Sequence, residues 1–305
     1  MISRKNGNLY CEAGDFYIDP SSSVENAVVT HAHSDHLSSK SENNFCSKGT
    51  EKLIKVRLSK PKTVGYDFGE KFYINGVMLS FHPAGHILGS SQVRIEHRGK
   101  VVVVTGDYKR GVDYSCKPFE LVECDEIISE ATFAMPFYKW PDPMKEVQKI
   151  IEWSEGSSVL FCYSLGKSQQ VITLLNRAGY KDIYVHPVID RINKIYIEEG
   201  YPMTYQKIDD LEDHHFKGIT ILPYASSKGI KEEVKTASIS GWNMTRNGMG
   251  RGGCDAGFVM SGHAGWSEIV KTVKESKANK IYFHHGRSDV IIKYLNENGY
   301  NTHEI

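Results

Sequence analysis

Seven consecutive residues, Thr-His-Ala-His-Ser-Asp-His at 30–36, place the strongest constraint on what this chain folds into. Imidazoles suit zinc, manganese and iron, and a carboxylate adds a hard oxygen ligand. The apolar residues 27–29 just before them are typical of a short strand, so the ligands follow the end of a strand. Alternate side chains diverge there, with the first two histidines on one side and Asp35 and His36 on the other. The spacing therefore predicts a site for two metal ions rather than one.

The composition is that of an ordinary globular protein. With 305 residues, the chain is long enough for one large domain or two small ones. Its formal net charge of zero argues against indiscriminate binding of polyanions but not against a local basic groove. The six cysteines include no CxxC pair, which favours reduced thiols over a disulfide framework or a zinc ribbon. Because no signal sequence or long apolar run is present, we expect a cytoplasmic protein with no membrane association.

Histidines recur at the ends of other apolar strands. His86 lies in a glycine-rich loop between two strands, where a ligand approaches an ion closely. His263 and His285 each follow an apolar strand and precede a turn. One such histidine is usually a packed side chain, but four at equivalent positions, counting His31, indicate a shared site.

Acidic residues end three of the predicted strands. Asp107 follows an apolar strand at 100–104, of the kind that has both faces covered, and its two oxygens are placed to bridge two cations. Glu130 ends a second strand. Asp19 closes a strand ahead of the histidine-rich stretch, where it either orients a metal ligand or is an ordinary turn residue before proline.

The second half of the chain alternates strands and helices after a proline-rich loop that begins near 132. This alternation predicts a small α/β domain with a parallel sheet. Earlier in the chain, Asn75-Gly76 predicts a hairpin. Over the whole chain, the sequence predicts helices at 50–60, 143–155, 168–178, 188–199, 266–276 and 288–298.

Candidate contacts to nucleic acid are less specific. The tripeptide at 166–168 is similar to the end of a P-loop, but Phe161 occupies the position of the leading glycine, which argues against a triphosphate site. Ser164 and Lys167, at a predicted helix N-terminus, remain candidates for contacting a backbone phosphate. In the glycine-rich segment 241–253, either a connector or a phosphate-contacting loop, the candidates are Arg246 and Arg251. Other cations that would line a groove, if they are not surface charges, are Lys109, Arg110, Lys139 and Arg287. Aromatic residues that would stack on bases are Trp140, Tyr163 and Trp242, of which we expect at least two to be buried instead.

These motifs together resemble a known family. The metal-binding signature of the metallo-β-lactamase fold is similar to His31-Ala-His33-Ser-Asp35-His36, His86 in its glycine loop and Thr-Gly-Asp107. The three additional motifs of the β-CASP branch resemble Glu130 in Ser-Glu-Ala-Thr-Phe, His263 in Ser-Gly-His-Ala and His285 in His-His-Gly. That branch contains RNA 3′-end processing factors, bacterial RNase J and Artemis-like DNA nucleases. The resemblance implies an α/β protein, a metallo-β-lactamase αββα sandwich at 1–131 and 256–305 with a small α/β β-CASP cap inserted at 132–255.

The same resemblance implies a role for each motif residue. One of two divalent ions, zinc or manganese, would be held by His31, His33 and His86, and the other by Asp35, His36 and His285. Asp107 would bridge the two ions, and Asp19 would support the site from behind the ligands. Hydroxide attack on a phosphodiester would be assisted at the leaving group by His263, oriented by Glu130.

Several longer stretches are more specific and resemble the bacterial ligase-associated DNA exonucleases. They are Leu-Tyr-Cys-Glu-Ala-Gly-Asp-Phe-Tyr-Ile-Asp-Pro, Phe-His-Pro-Ala-Gly-His-Ile-Leu-Gly-Ser, Ser-Leu-Gly-Lys-Ser-Gln and Ser-Gly-Trp. This resemblance implies a 3′-to-5′ exonuclease on single-stranded DNA ends, working in DNA repair with a DNA ligase and a helicase. The chain departs from that subgroup at Gly262 and Gly265, where acids are usual, so the surroundings of His263 are expected to differ.

Two other activities remain open. A ribonuclease, either RNase J-like or an RNA 3′-end processing endonuclease, has the same motifs, and the residues that read the 2′-hydroxyl are not evident from them. The chain ends 20 residues after His285, so we expect no RNase J-like C-terminal domain, which favours DNA. A small-molecule metallo-hydrolase is the second alternative, but it has no need of Glu130 and His263.

Overall fold

The structure, a computed structural model, describes residues 1–38, 40–209, 216–229, 234–245 and 251–305, with the backbone alone at 227–229 and 251. The described chain divides into two compact units. The first consists of Met1–Lys139 and His263–Ile305, and the second is Trp140–Gly262.

The first unit is built on two sheets. Spatial order equals chain order in the first sheet, which contains β1 (Ile2–Lys5), β2 (Asn8–Cys11), β3 (Phe16–Ile18), β4 (Asn26–Val28), β5 (Asn43–Ser47) and β6 (Thr63–Tyr66). The second sheet contains β7 (Phe72–Ile74), β8 (Val77–Pro83), β9 (Ser91–His97), β10 (Lys100–Val104), β11 (Glu126–Ala131), β18 (Lys280–Gly286) and β19 (Thr302–Glu304). Its spatial order is β19-β18-β11-β10-β9-β8-β7. The helices of the first unit are α1 (Lys48–Arg57), α5 (Trp266–Glu275) and α6 (Asp289–Glu297).

Strand β10 shows how the layers of the first unit pack. Val102 and Val104 lie in a core cluster that includes Phe16 and Val28 of the first sheet, so the two sheets pack face to face. Val103 lies in a second cluster, together with residues of α5 and α6. Because alternate side chains of a strand point to opposite faces, an uninterrupted apolar strand is what a layer covered on both faces requires.

The predicted hairpin at Asn75-Gly76 is confirmed. Strands β7 and β8 pair antiparallel, with Ile74 opposite Val77. Asn75 and Gly76 have φ of 46° and 79°. Two positive φ values in succession are what a tight two-residue hairpin turn demands, and asparagine and glycine tolerate them best.

The second unit contains the predicted parallel sheet. Its strands are β12 (Ser157–Cys162), β13 (Ile183–Val185), β14 (Gln206–Lys207), β15 (Gly218–Pro223), β16 (Lys235–Ile239) and β17 (Ala256–Phe258). Their spatial order is β14-β13-β15-β12-β16-β17, and each neighbouring pair is parallel. The helices of this unit are α2 (Pro143–Ser154), α3 (Lys167–Arg177) and α4 (Pro187–Glu198). All six helices predicted from the sequence are present in the described chain, with ends shifted by a few residues.

The boundaries between the two units lie after Lys139 and after Gly262, which is later in the sequence than the predicted limits of 131/132 and 255/256. After β11 the chain stays with the first unit, because Phe133 forms a bridge with Gly265 and the carbonyl of Tyr138 accepts a hydrogen bond from Trp266 at 3.3 Å. Strand β17 belongs to the second unit, because it pairs with β16. The identity of the second unit as a β-CASP cap stays a prediction.

Two further observations bear on the predicted environment. In the part of the chain that the structure describes, no helix is both long and apolar enough to span a membrane. The cysteines are free thiols, and all but Cys254 are buried.

Candidate metal centre

Three histidines and one aspartate converge at the end of the first unit's strands. Ligand atoms of His31, His33, His86 and Asp107 all lie within 4.8 Å of one another. Nδ1 of His33 lies 3.0 Å from Nε2 of His31 and 3.2 Å from Nε2 of His86. Oδ2 of Asp107 lies 3.6 Å from Nε2 of His31. Three nitrogens and one carboxylate oxygen form a donor set suited to a divalent transition metal ion.

Glycines allow the loops that carry these ligands to approach each other. Gly85 has φ of +76°, and a Cβ there would clash with the carbonyl of Lys109 in the loop that follows Asp107. The amide of His86 donates to Oγ of Ser90 at 3.0 Å, which closes the loop between β8 and β9. The glycine-rich sequence around His86 therefore permits the close packing that brings this histidine to Asp107.

A second group adjoins the first through His31. Asp19, His31 and His36 offer ligand atoms that also lie within 4.8 Å of one another. Nδ1 of His36 lies 2.7 Å from Oδ2 of Asp19, whose carboxylate also accepts from the amide of Thr30 at 2.7 Å and from its hydroxyl at 2.6 Å. The other ring nitrogen, Nε2, lies 3.4 Å from Asp107. Asp19 thus fixes the imidazole ring and directs its second nitrogen toward the shared aspartate.

A third group adjoins the first through Asp107. It consists of Asp107, Glu130 and His263. Nδ1 of His263 lies 2.9 Å from Oε2 of Glu130 and 3.8 Å from Oδ2 of Asp107. The other oxygen of Glu130, a buried residue, accepts the amide of Tyr108 at 2.8 Å. Glu130 is therefore held by the backbone next to Asp107, and it in turn holds the ring of His263.

Two predicted ligands lie at the rim of this arrangement and outside the three groups. The side chain of Asp35 is 78 % exposed, and its Oδ2 lies 3.8 Å from Nε2 of His36. The ring of His285 is 5.1 Å from the ring of His36, between centroids, and is exposed to solvent. The structure thus brings five of the seven predicted ligands together and leaves these two beside them.

The charges of the buried groups test whether the site fits a cation. Burial and the neighbouring imidazoles hold the pKa of His31 well below its usual range, so this ring is neutral and ready to coordinate. Burial disfavours a charged Asp107, but His36 and His263 outweigh it and lower the pKa of this carboxyl well below its usual range. Burial also disfavours a charged His36, yet Asp107 and Asp19 raise its pKa well above the ordinary value. Since a metal must displace that proton, these residues fit a divalent cation that binds with proton release.

The predicted phosphate contacts in the second unit have internal partners. Nζ of Lys167 donates to the side chain of Gln170 at 2.5 Å, and the carbonyl of Ser164 accepts from Gln169 at 3.0 Å. The amide of Gly166, at the start of α3, donates to the same Gln169 side chain at 2.6 Å. Outside the described part of the chain lie Arg246 and the side chain of Arg251.

The candidate groove cations and aromatic residues are only partly where the sequence places them. Lys109 does not line a surface groove: it is 5 % exposed, and its Nζ lies 3.8 Å from Asp113. Arg110 forms an ion pair with Glu275 at 2.5 Å. Both Lys139 and Arg287 are exposed, and the latter pairs with Asp289. The expectation that at least two of the three aromatic residues are buried is wrong, since the exposed ones include Tyr163 at 51 % and Trp242 at 42 %.

Some residues that support the site are not evident from the sequence motifs. Thr30 contacts both Asp19 and Nδ1 of His31, the latter at 3.0 Å, and its place just before the first histidine was a usable signal. Arg57, in α1, donates to the carbonyl of Ala32. Arg4 lies 3.1 Å from Nδ1 of His284, a contact between the two ends of the sequence that no local pattern announces.

No protein-family model matches the chain. A probable DNA ligase of Opitutus terrae is 28 % identical over 95 % of this chain and 30 % of its own length. An RNase J-like protein of Methanocaldococcus jannaschii is 24 % identical over 50 % of this chain and 44 % of its own length. Endoribonuclease ysh1 of Aspergillus fumigatus is 29 % identical over 43 % of this chain and 15 % of its own length.

Each of these relatives is therefore much longer than the part that this chain matches. Among solved structures, a protein of unknown function from Enterococcus faecalis has a similar fold, with a TM-score of 0.62 at 12 % identity. The similarity covers 92 % of this chain and 78 % of that one. One of the sequence relatives is thus named for joining DNA and two for cleaving RNA.

Proposed function

We propose that this chain, whose relatives confirm its resemblance to the β-CASP nucleases, is a metal-dependent 3′-to-5′ exonuclease on single-stranded DNA ends. The observation that supports it most strongly is the convergence of three ligand groups, joined to one another through His31 and Asp107. A single structural ion needs four ligands, whereas this arrangement offers more donors than that and keeps an acid–histidine pair beside them.

The ligand residues would divide between two ions. His31, His33 and His86 would hold one, and His36 with the rim residues Asp35 and His285 would hold the other. Asp107 would contribute to both, because it is close to His31 and to His36. Divalent ions such as zinc or manganese, when bound there, supply an activated water as the nucleophile and neutralise the charge of the phosphate.

The chain's own contribution to bond cleavage is proton transfer by His263. Glu130 contacts Nδ1 of His263 at 2.9 Å and orients the ring. We infer that Nε2 is the nitrogen that contacts the substrate. A proton on that nitrogen would be donated to the leaving oxygen. A positioned acid of this kind contributes roughly 100- to 10,000-fold to the rate.

The packing of the layers within the first unit supports the predicted architecture. The first unit has two sheets packed face to face, with α5 and α6 on the outer face of one sheet. Helix α1 adjoins β5 and β6 of the other sheet. These layers support a metallo-β-lactamase αββα sandwich, and the second unit, with its parallel sheet, is the candidate β-CASP cap.

The choice of DNA rests on the probable DNA ligase of Opitutus terrae, along which 95 % of this chain aligns. That similarity also supports a role in DNA repair beside a ligase, while the association with a helicase rests on the sequence resemblance alone. A ribonuclease is the second candidate, favoured by the RNase J-like protein and by the endoribonuclease.

One experiment separates the two candidates. A single strand of one sequence is made as DNA and as RNA, labelled at either end, and incubated with the protein and Mn²⁺ or Zn²⁺. We expect a ladder that shortens from the 3′ end of the DNA only, and no cleavage by Asp107→Asn. Cleavage of RNA alone would overturn the DNA assignment, digestion from the 5′ end would overturn the polarity, and intact strands would overturn the nuclease function.

A further inference from the structure

A cavity of about 390 Å³ opens beside the rim ligands of the candidate metal centre. Asp35 and His285 line one part of it, and Arg4, Gly7 and Ser288 line another. All of them belong to the first unit. Its volume lies within the range of about 300–1,000 Å³ that is usual for ligand sites. The proposed metal-ligand roles of Asp35 and His285 do not account for the other residues that line this cavity.

Ser288 contributes a hydroxyl group to the lining of the cavity. It is 6 % exposed, and it precedes helix α6, yet its hydroxyl makes no capping hydrogen bond to the first turn. Within the described residues this hydroxyl has no hydrogen-bond partner at all. Because Ser288 lines the cavity, its hydroxyl is accessible there and can donate a hydrogen bond to a ligand. The N-terminus of a helix carries partial positive charge and favours an anion as that ligand.

Arg4 supplies a cation to the same cavity. One of its guanidinium nitrogens, Nη2, lies 3.1 Å from Nδ1 of His284, and since arginine only donates, the histidine nitrogen accepts. A guanidinium has five N–H donors, so this bond leaves several for a ligand. Paired N–H groups of arginine match the oxygens of a phosphate.

The acids of the cavity lining restrict the kind of anion that binds. Asp19 and Asp35 face it from the metal centre, and Glu304 lines it as well. Attraction by net charge is therefore weak until metal ions are present, and an anion has to be held by directional hydrogen bonds. A backbone phosphate meets both conditions when the next phosphate of the same strand lies at the metal centre. Metal ions are then present, and the phosphate oxygens accept directional hydrogen bonds.

We propose that this cavity binds a second backbone phosphate of the nucleic-acid strand, next to the scissile one, through Arg4 and the Ser288 hydroxyl at the start of α6. The proposal rests on the proposed function, because the metal centre has to hold the scissile phosphate. It adds a substrate requirement, namely a strand with a phosphate on both sides of one nucleoside.

The test compares two nucleotides that differ by one phosphate, deoxyadenosine 3′,5′-bisphosphate and deoxyadenosine 5′-monophosphate. Each is titrated calorimetrically into the metal-loaded protein, in parallel with cleavage of a labelled strand. We expect the bisphosphate to bind about tenfold tighter or more, the gain typical of hydrogen bonds to a charged group. Ser288→Ala and Arg4→Gln should bring the two affinities together by weakening the bisphosphate alone.

Two features of the variants keep the test decisive. Ser288→Ala loses no capping bond and should keep the melting temperature of the unmodified protein. Arg98→Gln, which replaces an exposed arginine in the turn between β9 and β10, is the matched control and should keep the tenfold difference.

Each remaining outcome counts against one claim only. If the unmodified protein cleaves strands but binds both nucleotides equally, the second phosphate site is wrong and the nuclease function stands. An affinity difference that survives in both variants also overturns the site. If the protein binds neither nucleotide and cleaves no strand, the proposed function itself is wrong.

Discussion

The carboxylate of Glu130 lies 2.9 Å from Nδ1 of His263, while its second oxygen accepts the amide of Tyr108. This links a histidine at 263 to the backbone beside Asp107, although the residues come from distant parts of the sequence. A carboxylate held by a backbone amide cannot rotate freely, so it orients the imidazole. This geometry agrees with the proposed role of the pair in proton transfer.

Replacing the histidine of this pair should separate catalysis from metal binding. His263→Ala should keep the metal content while turnover falls roughly 100- to 10,000-fold, because only the positioned acid is lost. Glu130→Gln should lie between the two proteins in turnover, because the ring of His263 is then less firmly oriented. The measurements are metal per chain by mass spectrometry and initial rates on a labelled strand. A loss of metal in proportion to activity would show that His263 is a ligand instead.

The rim residue Asp35 should act on one ion only. Its side chain is 78 % exposed and makes few contacts, so Asp35→Ala should leave the melting temperature of the metal-free protein unchanged. We expect it to reduce the metal content from two ions to one, and activity with it. Asp67→Ala, another exposed acid, serves as the control. Retention of both ions by Asp35→Ala would remove this residue from the ligand set.

Proton release should accompany metal binding because of His36. Asp107 and Asp19 raise its pKa in the metal-free protein, against the effect of burial. A raised pKa stabilises the folded state fully below the unfolded value of about 6.5, and this contribution is lost as pH rises through the folded value. Without metal, the unmodified protein should therefore have a higher free energy of unfolding than His36→Gln at low pH. This difference should shrink as the pH rises.

Calorimetry in buffers of different ionisation enthalpy should then show protons leaving as Zn²⁺ binds at neutral pH. A difference between the two proteins that is constant with pH, together with no proton release, would contradict the raised pKa of His36.

Thr30 should be needed to position Asp19. Thr30→Val keeps the shape of this fully buried side chain but removes the hydroxyl that donates to the carboxylate at 2.6 Å. We expect a loss of about 1–3 kcal/mol in the free energy of unfolding, since the carboxylate loses a donor in a buried site. Metal affinity should fall about 10- to 100-fold, as is common for residues that support a ligand.

The control for this change is Thr63→Val, whose hydroxyl donates to Glu51 at 3.0 Å, away from the histidines. It should leave metal affinity unchanged. Equal metal affinities in Thr30→Val and the unmodified protein would show that Asp19 is positioned without the hydroxyl.

Much of the site can be predicted because it depends on residues that are close together in the sequence. His31, His33 and His36 stand within one strand end, and the hairpin at Asn75-Gly76 follows from which residues tolerate a positive φ. The apolar run of β10 announced a strand covered on both faces. In each case the signal and its structural consequence lie within a few residues of each other.

The remaining features depend on contacts between distant segments. Lys109 looks like a surface cation, but the chain after Asp107 folds back on itself and buries it beside Asp113. The contact of Arg4 with His284 joins the two ends of the sequence. The C-terminal boundary of the second unit depends on the pairing of β17 with β16, and no sequence pattern near 256 predicts this pairing.

The most direct test of the central claim is a crystal structure of the Mn²⁺-loaded protein with anomalous diffraction at the manganese edge. We predict two anomalous peaks, both in contact with Asp107, one near His31, His33 and His86 and the other near His36. A single peak, or peaks away from Asp107, would contradict the two-metal centre.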